Sequence, residues 1–585
     1  MNARIVVGQG SCGLAAGAGA IYSALEAKLS ADMPAALSIA GCIGLCYLEP
    51  IVDIYAEDGT LYRLVQVNED HTDIIIQAVK TKDYSLLSDI VIKEEDEQFL
   101  AKQTRIALRH CGLINPDDID AYTSEDGYQA LEKVLKTMTP EDVIEEIKLS
   151  GLGGRGGAGF PTWFKWNAAR QNPGEEKYLI CNADEGDPGA FMDRAVIESD
   201  PHNLIEGMLI GAYAIGAKEA VVYVRAEYPL AIVRLTNAIK QAKEKGYLGK
   251  HILGTDFSCE MRIKAGAGAF VCGEETALIE SLEGNRGMPR LKPPFPTKAG
   301  YWLKPSSINN VETFANVAWI INNGGAAFSA MGTENSKGTK VFAVTGKVKR
   351  SGLVEIPMGK TLHDVIFDIA GGMREGHKFK AVQLGGPSGG CVPAHLLDTI
   401  IDYKALGATG AIMGSGGMVV MDETTCMVGI AKFFLEFTTK ESCGKCVHCR
   451  IGTKRLSEIL ERIVKGEGRS GDIELLEELC TSIKDGALCG LGQTAPNPVL
   501  TTIRYFRHEY EAHINEKKCP AKECPALLTY SINPETCIGC GLCAKKCPIG
   551  AISGERKQPY SIDPNMCIRC GQCIHSCRQG AVVVE

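Results

Sequence analysis

A duplicated run of cysteines near the C-terminus constrains this chain more than any other feature. The spacing C-x2-C-x2-C-x3-C occurs twice, at Cys537, Cys540, Cys543 and Cys547 and again at Cys567, Cys570, Cys573 and Cys577. Three closely spaced thiolates bind three corners of a cubane, and the fourth thiolate of each run reaches the cluster of the other half. The repeat therefore predicts a duplicated domain that carries two [4Fe–4S] clusters and transfers electrons.

The exchanged fourth ligands divide the eight cysteines into two sets. One set is Cys537, Cys540, Cys543 and Cys577, and the other is Cys547, Cys567, Cys570 and Cys573. Pro548 follows the first run, whereas Arg578 stands where the second run usually has proline. This departure removes no ligand, but a charge beside a cluster tunes its potential. A pair of zinc knuckles is the alternative interpretation.

The cysteine distribution also indicates the compartment. Sixteen of the 24 cysteines lie between Cys426 and Cys577. Secreted disulfide frameworks occur in short chains, so clustered C-x-x-C pairs in 585 residues favour metal ligation in a reducing, cytoplasmic compartment. No uncharged apolar stretch is long enough to span a membrane, and the run from Ile5 to Ala20 is too rich in glycine for a signal peptide. The net charge of −9 argues against nucleic acid as a partner.

A third cluster is predicted upstream of the repeat. Cys443, Cys446 and Cys449 fall within seven residues, and Cys489 offers a fourth thiolate for a further [4Fe–4S] cluster. His448 lies inside this run and raises the alternative of zinc. Because four thiolates are already present, we expect His448 to support the cluster from beside it.

A zinc site is predicted where histidine and cysteine occur together. His513, Cys519 and Cys524 have the compact, mixed spacing of a tetrahedral zinc site. Such a site needs a fourth ligand, and either Cys426 or Cys480 would complete it. The alternative is a pair of loop cysteines and an unrelated histidine.

Glycine-rich loops in the middle of the chain favour a phosphate-containing cofactor. The stretch 150–162 contains G-x-G-x-x-G, but a helical pattern precedes it, so it fails the test for a dinucleotide-binding fold. An acidic turn at 182–187 and a second glycine-rich stretch at 266–276 add carboxylates, which suit ribityl or ribose hydroxyls. Lys165 and Lys292 would supply positive charge for a phosphate.

These loops and cysteines together resemble a known family over nearly the whole chain. The motifs that carry the resemblance are residues 154–165, 182–191, 266–276, 289–296, 309–313 and 441–449. They resemble the NADH-oxidising flavin subunit of respiratory complex I. They are closer to the β subunit of soluble, electron-bifurcating, NAD(P)-linked [FeFe] hydrogenases and formate dehydrogenases. The appended ferredoxin and the fused N-terminal domain favour this second group.

The resemblance implies an FMN site with a nicotinamide site over the flavin, and no catalytic side chain, because the flavin carries the chemistry. It implies that FMN is bound by Gly154, Arg155, Gly156, Lys165, Asn182, Asp184, Glu185, Gly273, Asn309, Asn310 and Thr313. It implies that the nicotinamide is bound by Phe160, Glu274, Glu275, Lys292 and Phe295. Two residues near the cofactors depart from the complex I pattern: Phe270 replaces a tyrosine and Asp187 replaces a glutamate.

The pattern along the chain predicts a multidomain α/β protein, and the resemblance implies a thioredoxin-like and a β-grasp fold for two of its domains. We expect a thioredoxin-like domain at 1–80, a connector at 81–120, a glycine-rich α/β domain for FMN and NAD(P)H at 121–335, a β-grasp domain of the SLBB kind at 336–421, a helical [4Fe–4S] domain at 422–516, a zinc segment at 517–527 and a two-cluster ferredoxin domain at 528–585. The N-terminal domain offers Cys12, Cys42 and Cys46 for a [2Fe–2S] centre. Its fourth ligand is expected five residues before Cys12, where the chain has Val7.

The implied function is the conversion of hydride transfer at NAD(P)H into single-electron transfer through iron–sulfur clusters. The implied partners are a catalytic hydrogenase or formate dehydrogenase subunit, a small thioredoxin-like [2Fe–2S] subunit and a ferredoxin. Basic side chains in the C-terminal domain would favour docking of an acidic ferredoxin. Two alternatives stay open: the flavin subunit of a complex I-like quinone reductase, and a relay scaffold without catalysis.

Overall fold

The computed structural model describes residues 3–29 and 35–585, which divide into two compact units. The first unit spans Met1–Gly376, Ala381–Val420 and Leu488–Leu491, and the second spans His377–Lys380, Met421–Ala487 and Gly492–Glu585. Within the described ranges, no helix is both long and apolar enough to cross a membrane.

The N-terminal part of the first unit is a four-stranded sheet covered by helices. Its strands are β1 (Ala3–Gly8), β2 (Ala35–Ala40), β3 (Val52–Tyr55) and β4 (Leu61–Leu64), in the order β2-β1-β3-β4. Its helices are α1 (Ser11–Ala15), α2 (Ala18–Lys28) and α3 (Thr72–Thr81). The pair β1–β2 is parallel, and β3 and β4 run antiparallel. Gly17 adopts a φ of +108° and separates α1 from α2.

The segment expected to be a connector is folded and packed. Its run of four acidic residues forms the first turn of α4 (Glu94–Ala101), where negative charge is favoured by the helix dipole. Farther along, Ile106, Leu108 and Cys111 are buried in the core of the next domain. Because charged and turn-forming residues dominate this segment, its sequence indicated a connector, and its apolar core positions were not recognised.

The central domain of the first unit is built on a parallel sheet. Its strands are β5 (Tyr178–Ala183), β6 (Glu219–Arg225), β7 (Glu260–Gly266) and β8 (Ser306–Asn310), in the order β7-β6-β5-β8. Its helices are α5 (Ile119–Thr123), α6 (Gln129–Thr137), α7 (Pro140–Ser150), α8 (Thr162–Gln171), α9 (Met192–Ser199), α10 (Pro201–Ile215), α11 (Pro229–Glu244), α12 (Glu275–Leu282), α13 (Pro296–Ala299), α14 (Val311–Ala315), α15 (Val317–Asn323) and α16 (Gly325–Ser329). Because β5 lies beside β8, the loops at their carboxyl ends meet at one edge of the sheet.

A second mixed sheet follows in the same unit. Its strands are β9 (Thr339–Gly346), β10 (Gly352–Pro357), β11 (Phe379–Leu384), β12 (Gly390–Pro393) and β13 (Gly417–Asp422), in the order β10-β9-β13-β11-β12. The strand β9 pairs in parallel with β13 and antiparallel with β10. The helix α17 (Tyr403–Thr409) lies between β12 and β13 in the chain.

The helices of the region after β13 precede a small duplicated domain. They are α18 (Met427–Glu441), α19 (Thr453–Val464), α20 (Asp472–Gly486), α21 (Gly490–Thr494) and α22 (Asn497–Glu511). In the duplicated domain, β14 (Tyr530–Ile532) pairs with β17 (Val582–Val584), and β15 (Ile552–Ser553) pairs with β16 (Ser561–Ile562). Each cysteine run contains one short helix, α23 (Leu542–Lys546) in the first and α24 (Gln572–Ser576) in the second. This arrangement matches the internal repeat of the sequence.

A buried ion pair joins the central domain to the second mixed sheet. Lys340 of β9 forms a salt bridge with Glu312 of α14, and both side chains are inaccessible to solvent. The Lys340 ammonium also donates to the carbonyls of Val341 and Ser415, at 2.8 and 2.5 Å. The second oxygen of Glu312 accepts from the Val341 N–H at 2.8 Å. Both charges are therefore compensated in the fold.

Replacement of Lys340 by methionine should destabilise this domain by about 3–5 kcal/mol, because Glu312 would keep a buried charge without its partner. All four tryptophans lie between Trp163 and Trp319, so urea unfolding followed by tryptophan fluorescence reports on this domain. The double variant Lys340→Met/Glu312→Gln keeps an acceptor for Val341 without the charge, and it should recover much of the loss. An unchanged unfolding midpoint for Lys340→Met would contradict this assignment.

Candidate flavin and metal sites

An open cavity of about 240 Å³ lies where the carboxyl ends of β5 and β8 meet. It is lined by Gly154, Gly156, Gly157, Ala158, Gly159, Phe160, Lys165, Asn182, Gly273, Glu275, Ile308, Asn309 and Asn310. Nine of these residues belong to the predicted cofactor set. The polar walls consist of backbone amides, asparagine side chains, one lysine and one glutamate, which suit a phosphate and polyol hydroxyls.

The glycine-rich loop between α7 and α8 forms one wall and is held in place from outside. Gly159 has a φ of +66°, and a Cβ there would lie 2.7 Å from the ring of Tyr403. The Tyr403 hydroxyl donates to the carbonyl of Gly154 at 3.0 Å. The loop thus needs glycine both for its backbone conformation and for this close approach.

The charged wall of the cavity is a chain of ion pairs. The Lys165 ammonium donates to the Ile308 carbonyl at 2.6 Å and to Glu275 at 3.1 Å. Lys292 lies 3.0 Å from both Glu274 and Glu275. Burial opposes the effect, but the positive charges of Lys165 and Lys292 hold the pKa of Glu275 below its ordinary value. Glu275 is therefore ionised at neutral pH and fixes both lysines at the rim.

The asparagines of the cavity are oriented by neighbouring groups. Asn182 donates to the Gly273 carbonyl at 2.9 Å and accepts from the Asp184 N–H at 3.1 Å. Asn309 accepts from the indole N–H of Trp166 at 2.9 Å. Asn310 donates to Asp193 at 2.5 Å and caps α14 by accepting from Glu312. These contacts set the direction of each amide toward the cavity edge.

Eight predicted cofactor residues are not in the lining of this cavity: Arg155, Asp184, Glu185, Phe270, Glu274, Lys292, Phe295 and Thr313. The buried Arg155 guanidinium donates to the carbonyls of Gly153, Lys337 and Thr339. The backbone N–H of Arg155 donates to the Thr313 hydroxyl at 2.9 Å. Both residues therefore hold the loop from behind.

The acidic turn caps a helix. Glu185 is buried, and its carboxylate accepts from the N–H groups of Asp193 and Arg194 at 2.9 and 3.1 Å, at the start of α9. Asp187, one of the two departures from the complex I pattern, accepts from the Ser415 hydroxyl at 2.5 Å, and burial raises its pKa to about 6. Both carboxylates thus brace the turn.

Among the predicted nicotinamide residues, Glu274 is held by hydrogen bonds, whereas the two phenylalanines are exposed. Glu274 caps α12, accepting from the N–H groups of Thr276 and Ala277 at 2.9 Å. Phe160 and Phe295 are about half exposed, at 51% and 57%. Phe270 begins a short turn of helix that ends at Gly273. The exposed rings lie where a flat ligand can reach them.

Five residues of this site are not among the predicted cofactor residues: Gly157, Ala158, Gly159, Ile308 and Tyr403. The first three continue the glycine-rich loop, and their signal was the loop itself. Ile308 contributes through its carbonyl, which no side-chain pattern reveals. Tyr403 lies about 250 residues downstream and had no signal in the sequence.

The eight cysteines of the repeat surround two separate cavities. Cys537, Cys540, Cys543 and Cys577 line one of about 110 Å³, together with Arg578. Cys547, Cys567, Cys570 and Cys573 line the other. The structure thus brings together the two predicted sets, including the exchange of the fourth cysteine.

One cysteine of the predicted third cluster, Cys449, lies in the helical turn His448–Gly452. Cys449 is buried, and its sulfur lies 3.2 Å from the Ser442 hydroxyl. A Cβ on Gly492, three residues after Cys489, would lie 3.4 Å from the Cys449 sulfur. The His448 ring packs on Gly486, where a Cβ would lie 2.4 Å from it. The His448 ring thus packs on α20, and its expected support of the cluster stays a prediction.

Four buried ligand atoms meet in the predicted zinc site. Those of Cys426, His513, Cys519 and Cys524 all lie within 4.8 Å of one another. His513 Nε2 lies 3.4 Å from the sulfurs of both Cys426 and Cys524, which are 3.6 Å apart. Tetrahedral zinc with bonds of about 2.3 Å places sulfur ligands about 3.8 Å apart, so this set fits a single ion. Of the two candidates for the fourth ligand, Cys426 lies in this group and Cys480 does not.

Comparison with known proteins agrees with this geometry. Residues 147–319 match the model of the Nuo51 FMN-binding domain, and residues 429–513 match that of the NADH-ubiquinone oxidoreductase-F iron-sulfur binding region. Residues 530–553 and 560–583 each match the 4Fe-4S binding domain. NADP-reducing hydrogenase subunit HndC of Solidesulfovibrio fructosivorans is 60% identical over 458 residues, which cover 78% of this chain and 93% of the relative. The chain belongs to the Nuo51 family.

Another Nuo51 relative and a solved structure support this placement. A subunit of the NADH-quinone oxidoreductase of Rhizobium meliloti (strain 1021) is 47% identical over 415 residues, covering 71% of this chain and 99% of the relative. The crystal structure of an NAD+-reducing [NiFe]-hydrogenase in the H2-reduced state superposes with a TM-score of 0.63 at 32% identity. That match covers 88% of this chain and 84% of the other.

Membership of the Nuo51 family makes this chain a subunit of an NAD(P)-linked oxidoreductase. The predicted FMN-binding domain, the iron–sulfur region and the C-terminal ferredoxin-like domain are confirmed. The cavity at β5 and β8 lies inside the matched FMN-binding domain, and its donors and acceptors fit that cofactor.

Replacement of Gly159 by alanine should lower the affinity for FMN at least fivefold. The left-handed backbone costs alanine about 1–2 kcal/mol, and the new methyl group would displace Tyr403. FMN released on dilution, followed by its fluorescence, measures the change. Gly284→Ala is the matched control, because Gly284 also has a positive φ but no atom within 4 Å of an added Cβ. Equal FMN affinity for both variants would contradict the assigned role.

Proposed function

We propose that this chain exchanges hydride with NAD(P)(H) and passes single electrons through [4Fe–4S] clusters to a ferredoxin and to a partner hydrogenase or formate dehydrogenase. Bound FMN would supply the step from two-electron to one-electron chemistry. The observation that carries the proposal is the presence, in one chain, of the FMN-binding domain and of two cavities that are each surrounded by four cysteines. The complex would act in the cytoplasm.

The residues of the flavin cavity would bind and orient rather than react. The glycine-rich loop would donate backbone N–H groups to the phosphate, beside the Lys165 ammonium. Asn182, Asn309 and Asn310 would bind the ribityl and ring edges, as amides that both donate and accept. Glu274, Glu275, Lys292 and the exposed rings of Phe160 and Phe295 would hold the nicotinamide at the rim.

The cysteines would bind three clusters and one zinc ion. The two sets around the cavities of the duplicated domain would bind one [4Fe–4S] cluster each. Cys443, Cys446, Cys449 and Cys489, which all lie inside the matched iron–sulfur region, would bind the third and accept electrons from the flavin site. Zinc would be bound by Cys426, His513, Cys519 and Cys524. A zinc site closed by four protein ligands carries no electrons and stabilises the fold.

The sheet orders support two further assignments. In the N-terminal domain, the order β2-β1-β3-β4 with one parallel pair agrees with a thioredoxin-like fold. In the domain after residue 336, the central parallel pair of β9 and β13, flanked by hairpins, agrees with a β-grasp fold. We assign these folds as part of the proposal.

The cluster assignment is tested by Cys446→Ser in the purified chain. The variant should keep its FMN and its NADH-dependent reduction of ferricyanide, which takes electrons at the flavin cavity. Its NADH-dependent reduction of ferredoxin should fall at least tenfold, because the first cluster is lost. Cys480→Ser is the matched control, since Cys480 is a buried cysteine of the same helical domain outside every proposed ligand set. Unchanged ferredoxin reduction in Cys446→Ser would overturn the proposed route.

A complex I-like quinone reductase is the second candidate, favoured by the identity to NADH-quinone oxidoreductase chains. The duplicated ferredoxin-like domain at residues 530–583 favours electron transfer to ferredoxin instead. Isolation of the native complex separates the two, because a soluble hydrogenase or formate dehydrogenase subunit should accompany the chain. Co-purification with quinone-binding membrane subunits would contradict the proposal.

A further inference from the structure

Three thiols of the N-terminal domain converge on one point. Cys12 lies in α1, and Cys42 and Cys46 lie in the loop between β2 and β3. Their three sulfur atoms all lie within 4.8 Å of one another, and those of Cys42 and Cys46 are 3.9 Å apart. The Gly44 N–H donates to the Cys42 sulfur at 3.3 Å, as backbone amides do toward thiolates at metal sites.

These distances match a single ion rather than a cluster. Two thiolates on one zinc ion stand about 3.8 Å apart, given zinc–sulfur bonds of about 2.3 Å. The set of Cys426, His513, Cys519 and Cys524 shows the same tight spacing. Among the residues that the structure describes, the cysteines around the two cluster cavities form no group within 4.8 Å. The fold itself thus distinguishes thiols that meet at one ion from thiols that stand around a cluster.

A [2Fe–2S] centre does not fit these residues. Such a centre takes two protein ligands on each iron, so at least two of the three thiols would have to bind different irons. The fourth ligand, expected at Val7, is absent, and the Val7 side chain is fully buried in the core between β1 and the helices α2 and α3. The nearby Glu49 uses its carboxylate to accept from the Ile51 N–H at 3.1 Å and is outside the group of three thiols.

We propose that Cys12, Cys42 and Cys46 bind one zinc ion, with a water molecule in the fourth position. Three thiolates favour soft ions, and zinc accepts three protein ligands and a water in a tetrahedral site. Zinc has one stable oxidation state, so the N-terminal domain of this chain does not carry electrons. Its site has no redox role, in contrast to the clusters elsewhere in the chain.

The helix α1 and the loop that bear these thiols also contact the end of α9. Ser11 donates from its N–H and its hydroxyl to Glu198, at 2.9 and 2.6 Å. The Cys42 N–H donates to the Ser199 hydroxyl at 3.0 Å, and a Cβ on Gly41 would lie 2.4 Å from the Cα of Ser199. An ion that fixes Cys12 and Cys42 therefore also fixes the C-terminal end of α9.

The other end of α9 belongs to the flavin cavity. Its first N–H groups donate to Glu185 of the acidic turn, and Asp193 accepts from Asn310. The eight residues of α9 span about 12 Å. The zinc ion would thus brace the cavity through one rigid helix without taking part in electron transfer.

Metal analysis of the purified full chain tests the proposal. Counting the zinc ion proposed in the helical domain, the wild-type chain should contain two zinc ions. Cys12→Ser should contain one, with unchanged iron content. Cys259→Ala is the control, since Cys259 is a buried core cysteine outside both groups, and it should keep two. A loss of iron in Cys12→Ser, or an unchanged zinc content, would overturn the proposal.

A second measurement leaves the N-terminal site intact. In Cys426→Ser/Cys519→Ser, the zinc that remains belongs to the N-terminal domain alone. Zinc-edge X-ray absorption of this variant should show three sulfur ligands and one oxygen. A chain without zinc, or a [2Fe–2S] signal in its reduced electron paramagnetic resonance spectrum, would overturn the proposal. FMN content and [4Fe–4S] signals are recorded on the same samples. Loss of the flavin or of these signals in the wild-type chain would count against the proposed electron transfer and not against the N-terminal zinc site.

Discussion

The flavin cavity depends on the parallel pairing of β5 with β8. This pairing places Asn182 opposite Asn310, although about 130 residues separate them in the chain. The glycine-rich loop closes the edge of the sheet, and Lys165 is tied to it through the carbonyl of Ile308. A ligand at this edge therefore meets amides, a lysine and backbone N–H groups at once, as ligands do at the carboxyl ends of parallel sheets.

The spacing of the thiols divides the proposed metal sites of this chain into iron–sulfur clusters and single-ion sites. Four cysteines surround a cavity in each half of the duplicated domain, around Cys540 and around Cys570, and we propose a cubane for each. In the sets of Cys42 and Cys426, the ligand atoms lie within 4.8 Å of one another, and we propose a single ion for each set. In the proposed assignment, cysteine thus serves electron transfer in one place and zinc binding in another, and the backbone geometry distinguishes the two.

Much of this organisation could be predicted from local spacing. The cysteine repeat identified both sets of four, including the exchanged Cys547 and Cys577, because the duplication fixes their geometry. For the fourth ligand of the proposed zinc site, the sequence left two candidates, Cys426 and Cys480. Only the fold could separate them. Arg155 was expected at the cofactor, but its side chain holds the loop from behind. Tyr403 could not be predicted, because its contact arises where two domains that are far apart in the sequence pack together.

The central claim is that electrons enter at the flavin cavity and reach iron–sulfur clusters of the same chain. Anaerobic titration of the purified chain with NADH or NADPH, followed by optical and electron paramagnetic resonance spectra, tests it most directly. The account predicts that bleaching of the flavin absorbance is accompanied by signals of reduced [4Fe–4S] clusters. Reduction of the flavin with every cluster left oxidised, under conditions where dithionite reduces them, would contradict it.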